Sequence, residues 1–296
     1  MAKKSSAAWL RFLKNSLVLL LVCAVLALLL LLPLQRWGKA AWGKTTPKLE
    51  PLAPLNLRYV DKNDDPLQLF KEPLISVTFD DGWSSIYTSA MPLLQLYGIR
   101  TTQYLLSGTN ANPSYLGWEQ IETIKKAGHE LGCHSVDHPN LTALNSDNLL
   151  YQVRECKTTF NYRGYAVPNF ASPYGASNKQ TLAVIKQFYN SQRNTDADLT
   201  NGIDEHDINL AANFDRYNFI SMAVRQSTTI EQIKQAVNYT IANKGWLVLT
   251  YHQVDEKDAE FGQNPVTLEK QLAYLSSTPV RIVTVGQALE SLGVGQ

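Results

Sequence analysis

Two carboxylates stand side by side in V-T-F-D-D-G, residues 77–82, where an apolar run ends at a glycine. Adjacent like charges repel and are costly beside a core, so Asp80 and Asp81 need something that offsets them. Further along, His134 and His138 lie in H-S-V-D-H-P. With three residues between them, one helical turn would set both imidazoles on one side. Two histidines and one carboxylate make a facial metal site that leaves positions open for water and substrate. If Asp81 is the third ligand, Asp80 is left as general base for a water whose pKa the cation lowers toward ~7. The cation would also relieve the repulsion within the Asp pair. Each element has a blander reading. Asp-Asp-Gly is usually a turn, a His pair at this spacing is often a solvated helix start, and a lone His after a strand, such as His252, is often a buried, hydrogen-bonded imidazole.

The elements that must position these residues tip the balance. Strand-like runs at 74–79, 101–106, 130–133, 165–170, 188–191, 246–251 and 280–285 alternate with helical patterns at 84–97, 118–127, 178–187, 230–243, 266–276 and 286–292. Ser146 is a candidate cap for a further helix, in which Leu149, Val153, Cys156 and Phe160 recur at helical spacing. Repeated strand–helix alternation predicts an α/β fold with a parallel sheet. About seven such units suit a (β/α) barrel, which places its chemistry on the loops after the strands. Asp80 and Asp81, the His134/His138 pair, Ser172-Pro173-Tyr174-Gly175 and His252 each follow a predicted strand. They therefore fall on one rim despite their distance in sequence.

The chain has 296 residues and a near-neutral balance of 27 basic and 26 acidic side chains. Residues 1–48 hold eight of the basic residues and no acid, which leaves 19 basic against 26 acidic in the remainder, a net of −7. A mildly acidic body gives no footprint for nucleic acid. Residues 17–34 form an apolar run preceded by Lys3, Lys4, Arg11 and Lys14. At 1.5 Å per residue it reaches roughly 27 Å, close to the thickness of a bilayer core. The sequence thus predicts a cytoplasmic basic N-terminus at 1–16, an uncleaved transmembrane anchor at 17–34, a linker and irregular lead-in at 35–70, and a catalytic domain at 71–296 outside the cytoplasm. A cleaved signal peptide is the rival reading; the run is longer than a usual h-region and lacks a clean small-x-small site. In the body only Cys133 and Cys156 remain, either two small buried residues or one disulfide in an oxidising compartment.

V-T-F-D-D-G, H-S-V-D-H-P, F-A-S-P-Y-G and L-T-Y-H, in that order from about residue 74 to 252, resemble the successive motifs of the NodB-type polysaccharide deacetylases, carbohydrate esterase family 4. The resemblance implies a distorted (β/α) barrel and metal-dependent removal of N-acetyl or O-acetyl groups from glycans, with Zn2+ as the default ion and Co2+ also suited to the ligands. By position it implies Asp80 as base, and Asp81, His134 and His138 as ligands. It also implies His252 as general acid, the Tyr174 backbone N–H as oxyanion donor beside Pro173, and Leu249 as the wall for the acetyl methyl. The expected partners are an acetylated glycan and, through the N-terminal helix, a bacterial inner membrane, with no nucleic acid.

Two departures bear on activity. The family often has Arg at the first position of the third motif, where it orients the base; here stands Ala171, and Arg193 is a candidate replacement, against the bland reading of a surface Arg near Asp196. The family's Asp-x-x-Asp-Trp motif has no counterpart near residues 190–204, which leaves His252 without an assigned partner. A glycan-binding module that has lost activity is therefore the alternative, and a small-molecule amidase a third. Among the remaining polar residues, Asp61, Asn63, Asp65 and Glu72 mimic a calcium loop, but Pro66 stands where that loop requires Gly. His129 reads as structural and His206 as solvated. Trp83, Tyr115, Trp118 and Tyr174 are candidates for stacking on sugar rings.

Overall fold

The computed structural model describes residues 71–195, 202–255 and 259–293. The predicted anchor, the linker, and Asp61, Asn63 and Asp65 lie outside them. Among the described residues no helix is long and apolar enough to cross a membrane.

Among the described residues eight strands form one parallel sheet: β1 (Leu74–Phe79), β2 (Thr102–Leu105), β3 (Glu130–Cys133), β4 (Asn169–Ala171), β5 (Ser191–Arg193), β6 (Met222–Ala223), β7 (Trp246–Tyr251) and β8 (Arg281–Ile282). They run in the order β5-β4-β3-β2-β1-β7-β6, with β8 pairing the start of β1. At one end of that order, β5 meets the segment leading into β6 through the parallel bridge Arg193–Phe219. The amide of Asn194 donates to the Phe219 carbonyl at 3.0 Å. The sheet is thus curled into a partial barrel. Helices α1 (Met91–Leu96, continuing the π-helical stretch Ile86–Ala90), α2 (Trp118–Lys126), α3 (Ser146–Tyr162), α4 (Lys179–Ile185), α5 (Ile230–Asn243) and α6 (Pro265–Ser277) link the strands, and α7 (Val285–Ser291) follows β8.

Strand alternation sorts the side chains into two layers. Ile75, Val77 and Phe79, and in register with them Leu247, Leu249 and Tyr251, pack with helix residues in the larger apolar cluster. Leu74, Trp246 and Val248 belong instead to a second cluster with Tyr104, Ala171, Phe219 and the α7 residues Val285, Ala288 and Leu289. This inner layer turns polar toward the strand C-termini. The Thr78 and Thr250 hydroxyls lie 3.0 Å apart, and Thr250 donates to the Ser221 hydroxyl at 2.9 Å.

Several element boundaries differ from the sequence expectation. The strand expected at 165–170 starts only at Asn169, because Pro168 has no N–H to give a ladder. The strand expected at 188–191 is instead Ser191–Arg193. Asn145, not Ser146, caps α3, its side chain accepting from the Asn148 amide at 2.9 Å. The strand expected at 280–285 is cut to Arg281–Ile282, since Val285 already begins α7. The strict alternation also breaks, since β5 and β6 are joined without a helix among the described residues, and β6 has no clear signal in its sequence.

Candidate active site

Asp80 follows β1 on the inner phase, with Leu74, Ser76 and Thr78. Its amide donates to the Tyr251 carbonyl of β7 at 2.9 Å. Asp81 then takes a left-handed φ of 68° and the Gly82 amide returns to the Asp80 carbonyl at 2.8 Å. This sharp turn points the two carboxylates of a consecutive pair at different partners. The Asp81 Oδ1 atom lies 3.5 Å from His134 Nε2 and 3.5 Å from His138 Nε2, while its Oδ2 accepts from the Trp83 indole N–H at 2.9 Å. One ligand atom from each of Asp81, His134 and His138 lies within 4.8 Å of the others.

The donor set suits a divalent cation. Asp81 Oδ1 is buried and has no hydrogen-bond partner among the described residues, as expected of an atom waiting for an ion. The His134 Nδ1 atom sits 2.8 Å from the Ala171 carbonyl. A carbonyl only accepts, so Nδ1 carries the proton and Nε2 presents its lone pair toward Asp81. The two histidines are not on a helical turn, as their spacing had suggested. Residues 134–138 form a loop with Ser135 at φ 73° and His138 at φ 66°, and the His138 amide donates to the Ser135 hydroxyl at 3.0 Å. His138 precedes Pro139, which disfavours helical backbone at that position. Of the five non-glycine residues with positive φ among those described, four are Asp81, Ser135, His138 and Tyr174. Such backbone costs about 1–3 kcal/mol per residue and collects where the surroundings over-determine geometry.

Asp80 is held differently. Arg193 Nη2 donates to its Oδ2 at 2.5 Å, and both side chains are buried, at 0% and 2% exposure. In the β4–β5 register Arg193 is paired directly with Ala171. The cation thus comes from one strand over, into the space that the small Ala171 leaves. The guanidinium is fixed further by Nη1 donating to the Ser221 hydroxyl at 2.7 Å, and it lies 5.0 Å from the centre of the Tyr104 ring. Tyr104 in turn leans over Gly132, where any Cβ would fall 2.5 Å from the ring, so glycine is required there. Burial alone would push the Asp80 carboxyl up. The charge of Arg193, followed by those of His134 and His252, together with the Arg193 hydrogen bond, outweighs that and holds it below the ordinary carboxylate value.

His252 is half-buried just past β7, with its ring 5.1 Å from Phe261. Burial pushes its pKa down, opposed by the charges of Asp80 and Asp81. Its Nδ1 has no hydrogen-bond partner among the described residues. Pro173 is buried and Tyr174 is exposed at the rim, its ring 4.5 Å from that of His138. Leu249 is a correction. It lies on the opposite face of β7 from Thr250, in the apolar layer between sheet and helices, so it cannot line this site. A shift of one residue along a strand reverses the face.

The other sequence candidates separate cleanly. Trp83 stacks on Tyr115 at 4.7 Å beside Asp81. Trp118 packs against Phe160 and Tyr165 in the helix layer, away from the site. His129 is buried, its Nδ1 accepting from the Thr101 amide at 3.1 Å, and His206 is exposed. Glu72 pairs with Arg281. Cys133 and Cys156 form a disulfide, and both are buried. The Trp83 contact to Asp81 carries no sequence signal beyond proximity.

The family model for polysaccharide deacetylase matches residues 69–190. Over those residues the chain resembles the polysaccharide deacetylases. The peptidoglycan-N-acetylglucosamine deacetylase of Listeria monocytogenes is 32% identical over 163 residues, 53% of this chain and 34% of that protein. Chitin deacetylase 1 of Saccharomyces cerevisiae is 31% identical over 126 residues, 42% of this chain and 38% of that one. The chain thus spans little more than a third of the length of either relative. In fold it is similar to the Xyl-CE4 domain of a multidomain xylanase from the hindgut metagenome of Trinervitermes trinervoides. That similarity has a TM-score of 0.53 and 23% identity, over 75% of this chain and 92% of that domain.

Proposed function

We propose that this protein is a metal-dependent hydrolase that removes N-acetyl groups, or O-acetyl groups, from a cell-envelope or exported polysaccharide. One observation carries the reading. Three ligand atoms of Asp81, His134 and His138 converge within 4.8 Å, next to a second acid, Asp80, that faces them while bound to Arg193. A divalent ion held there, Zn2+ or Co2+, would supply Lewis-acid polarisation of the acetyl carbonyl and of the attacking water. Asp80, kept ionised by Arg193, accepts the proton of that water. The Tyr174 backbone N–H would donate to the oxyanion, beside Pro173. His252 hands a proton to the leaving nitrogen or oxygen as acetate departs. Because burial favours its neutral form, that proton has to reach it within the catalytic cycle.

The unpartnered His252 Nδ1 favours a second reading, a glycan-binding module without turnover. The other reason for that reading, Ala171, is weakened by the Arg193 substitution in register with it. The test is acetate release from N-acetylated chito-oligomers and from O-acetylated xylan by the full chain in detergent. Release that stops with chelator and returns with Zn2+ or Co2+ supports the hydrolase. No release from any acetylated glycan, with an ion demonstrably bound, supports the binding module. For location we propose residues 17–34 as an inner-membrane anchor with the domain outside the cytoplasm. The Cys133–Cys156 disulfide supports that side, since such bonds persist in oxidising compartments.

A further inference from the structure

Residues 134–138 supply two of the three ligand atoms and include two left-handed residues; on one side the Ser107 and Gly108 amides donate to the Ser135 and Val136 carbonyls at 3.2 and 2.9 Å, which leaves the amides of Val136 and Asp137 to be held from elsewhere. Something outside it must set the separation of the two imidazoles. Helix α3 reaches it with the hydrogen bonds of one side chain. Gln152, only 7% exposed, accepts the Val136 amide at 3.0 Å and the Asp137 amide at 3.4 Å with Oε1, and its Nε2 donates to Asp137 Oδ1 at 2.6 Å. One helical turn further on, Cys156 is bonded to Cys133, the residue before His134. The same helix therefore grips the chain immediately before the first ligand and again between the two ligands.

We infer that Gln152 is a positioning residue for the metal site: its amide clamps the backbone between His134 and His138 and so fixes the span across which their Nε2 atoms meet Asp81. The inference rests on the metal reading above. Gln152 touches no ligand atom and takes no part in proton transfer. An alternative role as a plain core residue does not fit, because both of its polar ends are spent on this loop. It sits in the buried stripe of α3 with Leu149, Val153 and Cys156, where an apolar side chain would otherwise be expected. Groups that orient ligands from behind typically contribute about 10–100-fold in metal affinity.

The experiment uses the full chain, with Zn2+ affinity read by competition against a chromogenic chelator and the Co2+ form read by its visible absorption. Gln152→Ala is expected to weaken Zn2+ binding by about 10-fold or more and to change the Co2+ spectrum. Amide hydrogen exchange at Val136 and Asp137 should accelerate in the same variant, with or without metal. The polarity-swapped double variant Gln152→Glu with Asp137→Asn rebuilds the clamp, because Glu accepts from both the loop amides and the Asn side chain. It should recover most of the affinity, whereas Gln152→Glu alone, set against the Asp137 carboxylate, should not. A merely structural role predicts no such rescue. Unchanged Zn2+ affinity and Co2+ spectrum in Gln152→Ala, beside a wild type that loads normally, would overturn this inference alone. A double variant no better than Gln152→Glu overturns it too. A wild-type chain that takes up no divalent ion overturns the metal reading, and this inference with it.

Discussion

Replacing Arg193 with alanine tests the arrangement at its most exposed assumption. Asp80 and Arg193 are both almost fully buried and share a short hydrogen bond. With charge centres about 4 Å apart and an effective dielectric near 20, their attraction is about 4 kcal/mol. Removing one partner of such a pair leaves the other charge in a site that cannot hydrate it, at a cost of about 3–5 kcal/mol. Arg193→Ala should therefore lower unfolding stability by about that much, measured by urea titration at neutral pH. It should also change the chemistry. Burial raises the Asp80 carboxyl, and Arg193 is the largest influence holding it down. Without the guanidinium the acid is protonated at higher pH, so the acid limb of the kcat/KM profile should move upward.

At neutral pH the expected loss is about 10²-fold or more, the usual scale for an acid–base group. That loss should shrink as the pH is raised and Asp80 ionises again. Simple unfolding would give no such recovery. Arg193→Lys keeps a charge, but a single ammonium cannot reach both Asp80 and Ser221 as the fork does, so it should fall between wild type and alanine in both assays. A folded Arg193→Ala variant with wild-type activity and an unmoved acid limb would refute the assignment of Arg193 as the cation that orients and ionises the base.

Three further outcomes follow from other parts of the structure. Burial, and to a lesser extent Arg100, lowers the His129 pKa to about 3. The unfolded chain therefore binds a proton below about 6.5 that the folded one refuses, and stability is full above that value and falls as the pH drops toward 3. About 2 kcal/mol should be lost between pH 8 and pH 5, and His129→Gln should remove most of that component from the urea-derived pH profile. Reducing the Cys133–Cys156 bond, which spans a sequence separation of 23, should lower stability by about 3 kcal/mol through loop entropy, seen as a lower urea midpoint in dithiothreitol. Lys244 ends α5 in a left-handed conformation with φ 50°, where glycine has no Cβ penalty, so Lys244→Gly should raise stability by about 1 kcal/mol.

How far the site could be read from the chain depends on whether each residue's role is set along a strand or across strands. Asp80, Asp81, His134, His138 and His252 follow apolar runs that become β1, β3 and β7, so alternation and strand ends were enough to gather them on one rim. Leu249 failed by one residue. Its role was carried over from a motif, and in a two-residue period a slip of one moves a side chain from the interior to the helix layer. The spacing of His134 and His138 suggested a helical turn, but Pro139 and the end of β3 impose a loop, and the convergence of the imidazoles comes from left-handed backbone and an outside clamp instead. Arg193 was visible only as an available cation. What makes it a partner for Asp80 is its pairing with Ala171 across β4 and β5, a register that no local pattern encodes. Gln152 shows the same limit. Its polarity stood out of place in the stripe of Leu149, Val153, Cys156 and Phe160, which could have marked it, but the groups it holds lie 15 and 16 residues away on another element. Chemistry-bearing residues are thus legible where one strand presents them, whereas the residues that tune and hold them become legible only once the strands are placed side by side.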